Sequence, residues 1–243
     1  MVLAFCCSVK WGNHQSLHQE LLQLQSMASP HVAGVAALVK GAHRNWSPAA
    51  IRLAIMTTSD ILDSTKEHIK DIGTGSRATP FAFGAGHINP NRALHAGLVY
   101  YVNLLCALNF TQKNIAVVTR SSFNDCSKPS LDLNHPSFVA FFNGENSSAK
   151  TNQEFYRTVT NVGGEGQATY VASITPIKGF RVTVIPNKLV FNEKNEKLSY
   201  KLRIEVATTT KFKKVDFGYL TWMDVKKHVV RSPIVVTTLK LKS

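Results

Sequence analysis

No stretch of this 243-residue chain approaches the roughly 20 consecutive apolar residues that a helix needs to cross a bilayer. The longest apolar run, Val32 to Val39, is interrupted by Gly34 and reads as a core helix. Acidic residues are scarce: 15 Asp and Glu stand against 28 Lys and Arg, a formal net charge of +13. The basic residues are scattered, with only modest clusters at Lys211–Lys214 and Lys226–His228. Nucleic-acid binding would gather them on one face among aromatics, so an ordinary solvated basic surface is expected, with affinity at most for acidic polysaccharide or other anionic surfaces. The four cysteines, Cys6, Cys7, Cys106 and Cys126, include no CxxC pair, and the nine histidines show no paired-ligand spacing. A zinc or thioredoxin-type site therefore has no support, and neither metal nor cofactor is expected. A hydrophobic fraction of 44% with 18% charged residues excludes a disordered chain.

What the chain does contain falls into two halves. Residues 1–25 form a leader unlike the rest of the chain; it is apolar at first, lacks a basic start and is not accepted as a secretory signal. Ser26 then heads an apolar helix running to about Lys40, apolar nearly all round and so expected to be buried. Ser47-Pro48 and Asn89-Pro90 each place a capping side chain before a proline whose missing N–H costs nothing in a first turn. Helices are expected from both, and also over Tyr101–Asn109 and after Thr111, with a loop over 60–80 and a turn-rich connector at Phe81–Gly86. After about residue 135 the hydrophobic period changes from 3.6 to 2. Leu198–Val206 alternates without a slip, and Ser137–Phe142, Phe155–Val162, Ala168–Ile174, Phe180–Ile185, Phe217–Met223 and Val229–Thr238 are further strands between turn signals. Several short strands of this kind predict a β-sandwich, with Pro233 placing the last strand at an edge or bulge and Trp222 in the core.

A serine at the head of a helix is a place for chemistry, because the unpaired N–H groups of the first turn favour developing negative charge. Ser26-Met27-Ala28-Ser29-Pro30-His31 has that form. It is joined, in order, by Trp46–Ile51, Ala54–Thr58, Gly84-Ala85-Gly86-His87-Ile88-Asn89-Pro90, Gly97–Tyr100, Arg157–Gly163 and Arg231–Val236. Together these strings resemble the plant-type subtilisin-like serine proteases over nearly everything after residue 25. The resemblance implies an α/β remnant, the C-terminal part of a subtilisin-like peptidase domain over 26–108 and mainly helical. A connector over 109–134 and an all-β fibronectin type III-like sandwich over 135–243 would follow.

By the same resemblance Ser26 takes the nucleophile position, although Leu24-Gln25 stand where the family has Gly-Thr. A serine needs a base, usually histidine, oriented by a carboxylate. In the family's order both precede the serine, as does the asparagine that stabilises the oxyanion. Here His14, His18 and Glu20 precede it but lie outside any matching motif, and His31 reads as a packed or hydrogen-bonded helix residue. Loss of the base alone costs a serine protease about six orders of magnitude in turnover. The expectation is a truncated serine endopeptidase, inactive in this form; the alternative is a non-catalytic β-sandwich interaction module. Protein or peptide substrates belong to the intact family, and the uncovered apolar helix is expected to self-associate.

From spacing alone Cys106 and Cys126 could form a disulfide or remain free thiols. The resemblance favours the disulfide, because family members are secreted to the apoplast and cell wall, and Asn109 and Asn146 are glycosylation candidates on the same ground. Asn45 carries a third sequon, weakened by Pro48.

Overall fold

The computed structural model describes residues 14–71, 74–100, 111–119, 134–142, 152–164, 166–207 and 215–237, with the backbone alone for 14–27 and 118–119. Its first part is helical: α1 (His14–Ala42), α2 (Pro48–Thr57), α3 (Pro80–Phe83) and α4 (Pro90–Leu94), with α5 (Gln112–Thr119) further on. Both cap-plus-proline devices work as the sequence suggests. Ser47 Oγ accepts from the Ala50 N–H at 3.2 Å, and Asn89 Oδ1 accepts from Arg92 N–H at 3.0 Å. Thr111 Oγ1 accepts from Asn114 N–H at 3.3 Å at the start of α5. The expected connector at Phe81–Gly86 begins instead as the short helix α3, because Pro80 presets a first helical turn before Gly84, at φ 64°, ends it.

The second part is two packed sheets. One has the order β1-β3-β7-β5, formed by β1 (Leu98–Tyr100), β3 (Asn152–Asn161), β7 (Lys197–Val206) and β5 (Phe180–Ile185), all antiparallel. The other has the order β2-β9-β8-β4-β6, formed by β2 (Phe138–Phe141), β9 (Val229–Thr237), β8 (Val215–Asp224), β4 (Ala168–Ile174) and β6 (Lys188–Phe191). Between them lie Tyr200 and Trp222, edge to face with centroids 5.1 Å apart, and the alternation of β7 is that of a strand with one face in this core. Trp222 is fully buried.

Four features depart from the sequence expectation. Helix α1 begins at His14, so the second half of the leader is helical and Ser26 lies inside the helix rather than at its head. From Leu17 to Gln25 no capping residue interrupts the stretch before Ser26, and its Leu, Gln and Glu residues are good helix formers. Second, over residues 28–42, where side chains are described, α1 is buried on one side only: Val35 and Val39 are covered, while Ala33, Ala37 and Leu38 face outward. A helix that is apolar all round needs cover on every side, and among the described residues nothing covers the far side.

Third, β1, which lies within the stretch expected to be the mainly helical remnant, pairs with β3 as the edge of the sandwich. Leu98 and Tyr100 enter the sandwich core, and Leu53 of α2 joins the same cluster. The helical part thus shares a core with the sandwich. Finally, β9 runs inside its sheet, between β2 and β8, and not at an edge. Pro233 is tolerated there because pairing with the parallel strand β2 begins only at Ile234, so on that side no ladder partner is lost.

Candidate functional site

The backbone places Ser26 thirteenth in the 29-residue helix α1, four residues before Pro30. Inside a helix each N–H is given to the carbonyl four residues earlier, so this position lacks the outward-pointing donors of a first turn. His31 and Ser29 lie on the exposed part of the helix. Cys106, Cys126, Asn109 and Asn146 lie outside the described residues. Asn45 is exposed in the turn between α1 and α2.

The motif around Gly84–Pro90 is a clasp rather than a reaction site. Gly86, at φ 125°, lies so close to the Asp60 carbonyl that any Cβ would collide with it. Asp60 and His87 exchange backbone hydrogen bonds at 2.8 and 2.7 Å. The Asp60 carboxylate accepts from Asn89 Nδ2 at 2.8 Å and pairs with Arg92 at 2.6 Å. One acidic residue therefore fastens the loop after α2 to the start of α4.

Two further clusters are assembled only by the fold. At the first, the Asp224 side chain, 4% exposed, accepts from the His228 backbone N–H at 2.7 Å and pairs with its ring Nδ1 at 2.7 Å. The Tyr170 hydroxyl is buried beside them, and burial with the neighbouring Asp224 charge pushes its pKa well up. Gly97 and Gly163 pass over that hydroxyl with no room for a side chain. The Asp-His pair, joined at Nδ1, has the form of two thirds of a triad, but no serine hydroxyl is hydrogen-bonded to the ring among the described residues.

At the second, the Arg157 guanidinium is buried. It donates to the carbonyls of His135, Tyr156 and Ser137 at 2.9, 2.7 and 3.3 Å and lies 4.9 Å from the Phe138 ring centre. His135 Nδ1 meets Ser137 Oγ at 2.8 Å, and its Nε2 is buried without a hydrogen-bond partner. Burial, with Arg52 and Arg157 nearby, lowers the His135 pKa to about 4. The motif string starting at Arg157 marks one side of this cluster in the sequence, but it gives no hint that His135 is its neighbour. Among the described residues no group of three or more His, Cys, Asp or Glu side chains could hold a metal ion, and no helix is long and apolar enough to cross a membrane.

Comparison with known proteins accounts for the motif strings. Residues 8–86 match the subtilase family, and residues 132–236 match a fibronectin type III domain. The chain is 49% identical over 223 residues to the subtilisin-like protease SBT3 of Solanum lycopersicum, covering 88% of this chain and 29% of that protein. These matches place the chain in the subtilisin-like protease family. SBT1.6 of Arabidopsis thaliana is 42% identical over 231 residues, covering 90% of this chain and 30% of its own length. A CO(2)-response secreted protease of Arabidopsis thaliana is 39% identical over 227 residues, 88% of this chain and 28% of that one. The chain thus spans about three-tenths of the length of the curated relatives it matches. For this subtilisin-like chain the strings at Gly84–Pro90, Gly97–Tyr100 and Arg157–Gly163 lie at the clasp, at β1 and around the buried arginine.

Proposed function

We propose that this chain is the nucleophile-bearing segment of a subtilisin-like serine endopeptidase, a remnant of the α/β peptidase domain over 26–108 joined through 109–134 to the sandwich. We propose further that a polypeptide of these 243 residues does not hydrolyse peptide bonds by itself. Ser26 takes the nucleophile position by the resemblance of Ser26–His31 to the family's motif. The observation that carries the proposal of inactivity is its place in the middle of α1, where the backbone donors that would cradle an oxyanion are engaged within the helix. The family's aspartate, histidine and oxyanion asparagine have no counterparts in these residues. Loss of the base costs subtilisin itself about six orders of magnitude in turnover, and loss of the oxyanion donor about two to three. The intact protease would act on protein or peptide substrates outside the cell, in keeping with the secreted relative.

Two measurements test this. Purified chain should neither cleave casein nor take up a fluorophosphonate at Ser26; Ser26-dependent turnover overturns the proposed inactivity. A chimera in which residues 26–243 replace the aligned part of SBT3 should be an active protease that Ser26→Ala abolishes. A folded but inactive chimera would refute the nucleophile assignment.

A further inference from the structure

His135 stands against β3 just before β2, within electrostatic reach of α2. Its carbonyl accepts from Arg157 of β3, its Nδ1 meets Ser137 Oγ just before β2, and Arg52 of α2 acts on its ring. The neighbouring Asn134 clasps β3 as well: Nδ2 donates to Thr158 O at 2.7 Å, and Oδ1 accepts from Thr158 N–H at 2.9 Å. The charged groups whose fields reach the ring, exposed Arg52 of α2 and buried Arg157 of β3, are both cations, and no carboxylate figures among the groups acting on it. Protonation would put a third positive charge into this junction. With Nδ1–H given to Ser137 Oγ, it would also give Nε2 a buried N–H with no acceptor among the described residues.

We propose that His135 is an acid-sensitive latch: neutral, it lets the 134–137 segment close between α2 and β3, and protonated it drives that segment and α2 off the sandwich. The latch needs no ligand and no covalent step. It is a bistable contact biased by one proton, with Arg52 and Arg157 supplying the repulsion.

The ring's lowered pKa fixes the direction. With about 4 in the folded chain against an ordinary value of 6.5, His135 binds its proton more weakly folded than unfolded. Folding is therefore undiminished above about pH 6.5 and loses ground as the pH falls from there through 4. The full shift corresponds to about 300-fold in the folding equilibrium, and water reaching the half-buried ring leaves at least about tenfold of it.

The test is denaturant unfolding of the full chain at pH 7.5 and 4.5, with hydrogen exchange of residues 48–57 and 134–141 at both. Three proteins are compared: wild type, His135→Gln and Arg52→Gln. The wild type should lose at least about tenfold more of its folding equilibrium on acidification than His135→Gln, with faster exchange in both segments. Arg52→Gln should show an intermediate loss while keeping its stability at pH 7.5, an effect that a merely space-filling histidine would not produce. Should His135→Gln fail to fold, Arg52→Gln alone decides. Equal losses in the wild type and every variant that folds would overturn the latch.

Discussion

The hydroxyls of Tyr100 and Tyr200 lie 2.9 Å apart in the centre of the sandwich, and Ser232 Oγ stands 3.1 Å from Tyr100 on the other side. All three side chains are buried. Tyr100 is the last residue of β1, which follows directly on the helical part; Tyr200 belongs to β7, and Ser232 to β9 in the opposite sheet. One hydroxyl thus joins the helical part to both layers. Burial raises the Tyr100 and Tyr200 pKa values, so both stay neutral donors. Tyr100→Phe removes the middle of the chain of hydroxyls and orphans its neighbours. It should cost about 1–3 kcal/mol and lower the melting temperature by several degrees, read by thermal unfolding.

Glycines separate close packing from mere tolerance. A Cβ on Gly97 would lie 2.5 Å from the Tyr170 hydroxyl and 2.7 Å from His228 Cβ. Neither can move freely, since Tyr170 is buried and His228 is held by Asp224. A Cβ on Gly34, inside α1, meets nothing within 4 Å. Gly97→Ala should therefore destabilise by about 1–3 kcal/mol or more, while Gly34→Ala should stabilise by about 0.5–1 kcal/mol through helix propensity. Chemical denaturation of the two variants gives the opposite signs or refutes the packing account.

Much of the sandwich is legible in the sequence because its signal is local. The two-residue period over Ala168–Ile174 and Phe180–Ile185 gives the strand limits the structure has. Lys188–Phe191 escapes such a reading because four residues are too few to show a period, and Leu98–Tyr100 because its partner β3 lies about 60 residues away. The start of α1 differs for another reason. The motif at Ser26 has the family form of a helix head, whereas the residues before it favour helix and carry no stop signal. The pairings of Asp224 with His228 and of Arg157 with His135 are invisible in the sequence, although Arg157 itself heads a motif string, since a pairing through space leaves no periodic trace there.

The outward side of α1 carries its own prediction. Leu38 is 59% exposed, among Ala33, Gly34 and Ala37, which are also exposed. Apolar area left in water seeks cover at roughly 25 cal/mol per Å². The purified chain should sediment with a concentration-dependent mass, and Leu38→Glu should restore the monomer without loss of stability. A wild-type chain that stays monomeric at high micromolar concentration removes the expectation of self-association.

Asp224 ties the β8–β9 turn together with a single carboxylate. Its two oxygens are used separately, Oδ1 on the His228 backbone N–H and Oδ2 on the ring, so the turn is held from both ends. His228 in turn packs against Gly97 where the helical part joins β1. Asp224→Asn keeps the shape and one acceptor but sets an amide nitrogen, or an amide oxygen without charge, against one of these donors. The expected cost is about 1–3 kcal/mol, with faster hydrogen exchange confined to residues 222–230 and the Gly97 segment. Asp224→Glu, which retains the charge on a longer arm, should recover part of the protection. If both variants exchange like the wild type, the pair is an ornament of the turn and β1 is held by its pairing with β3 alone.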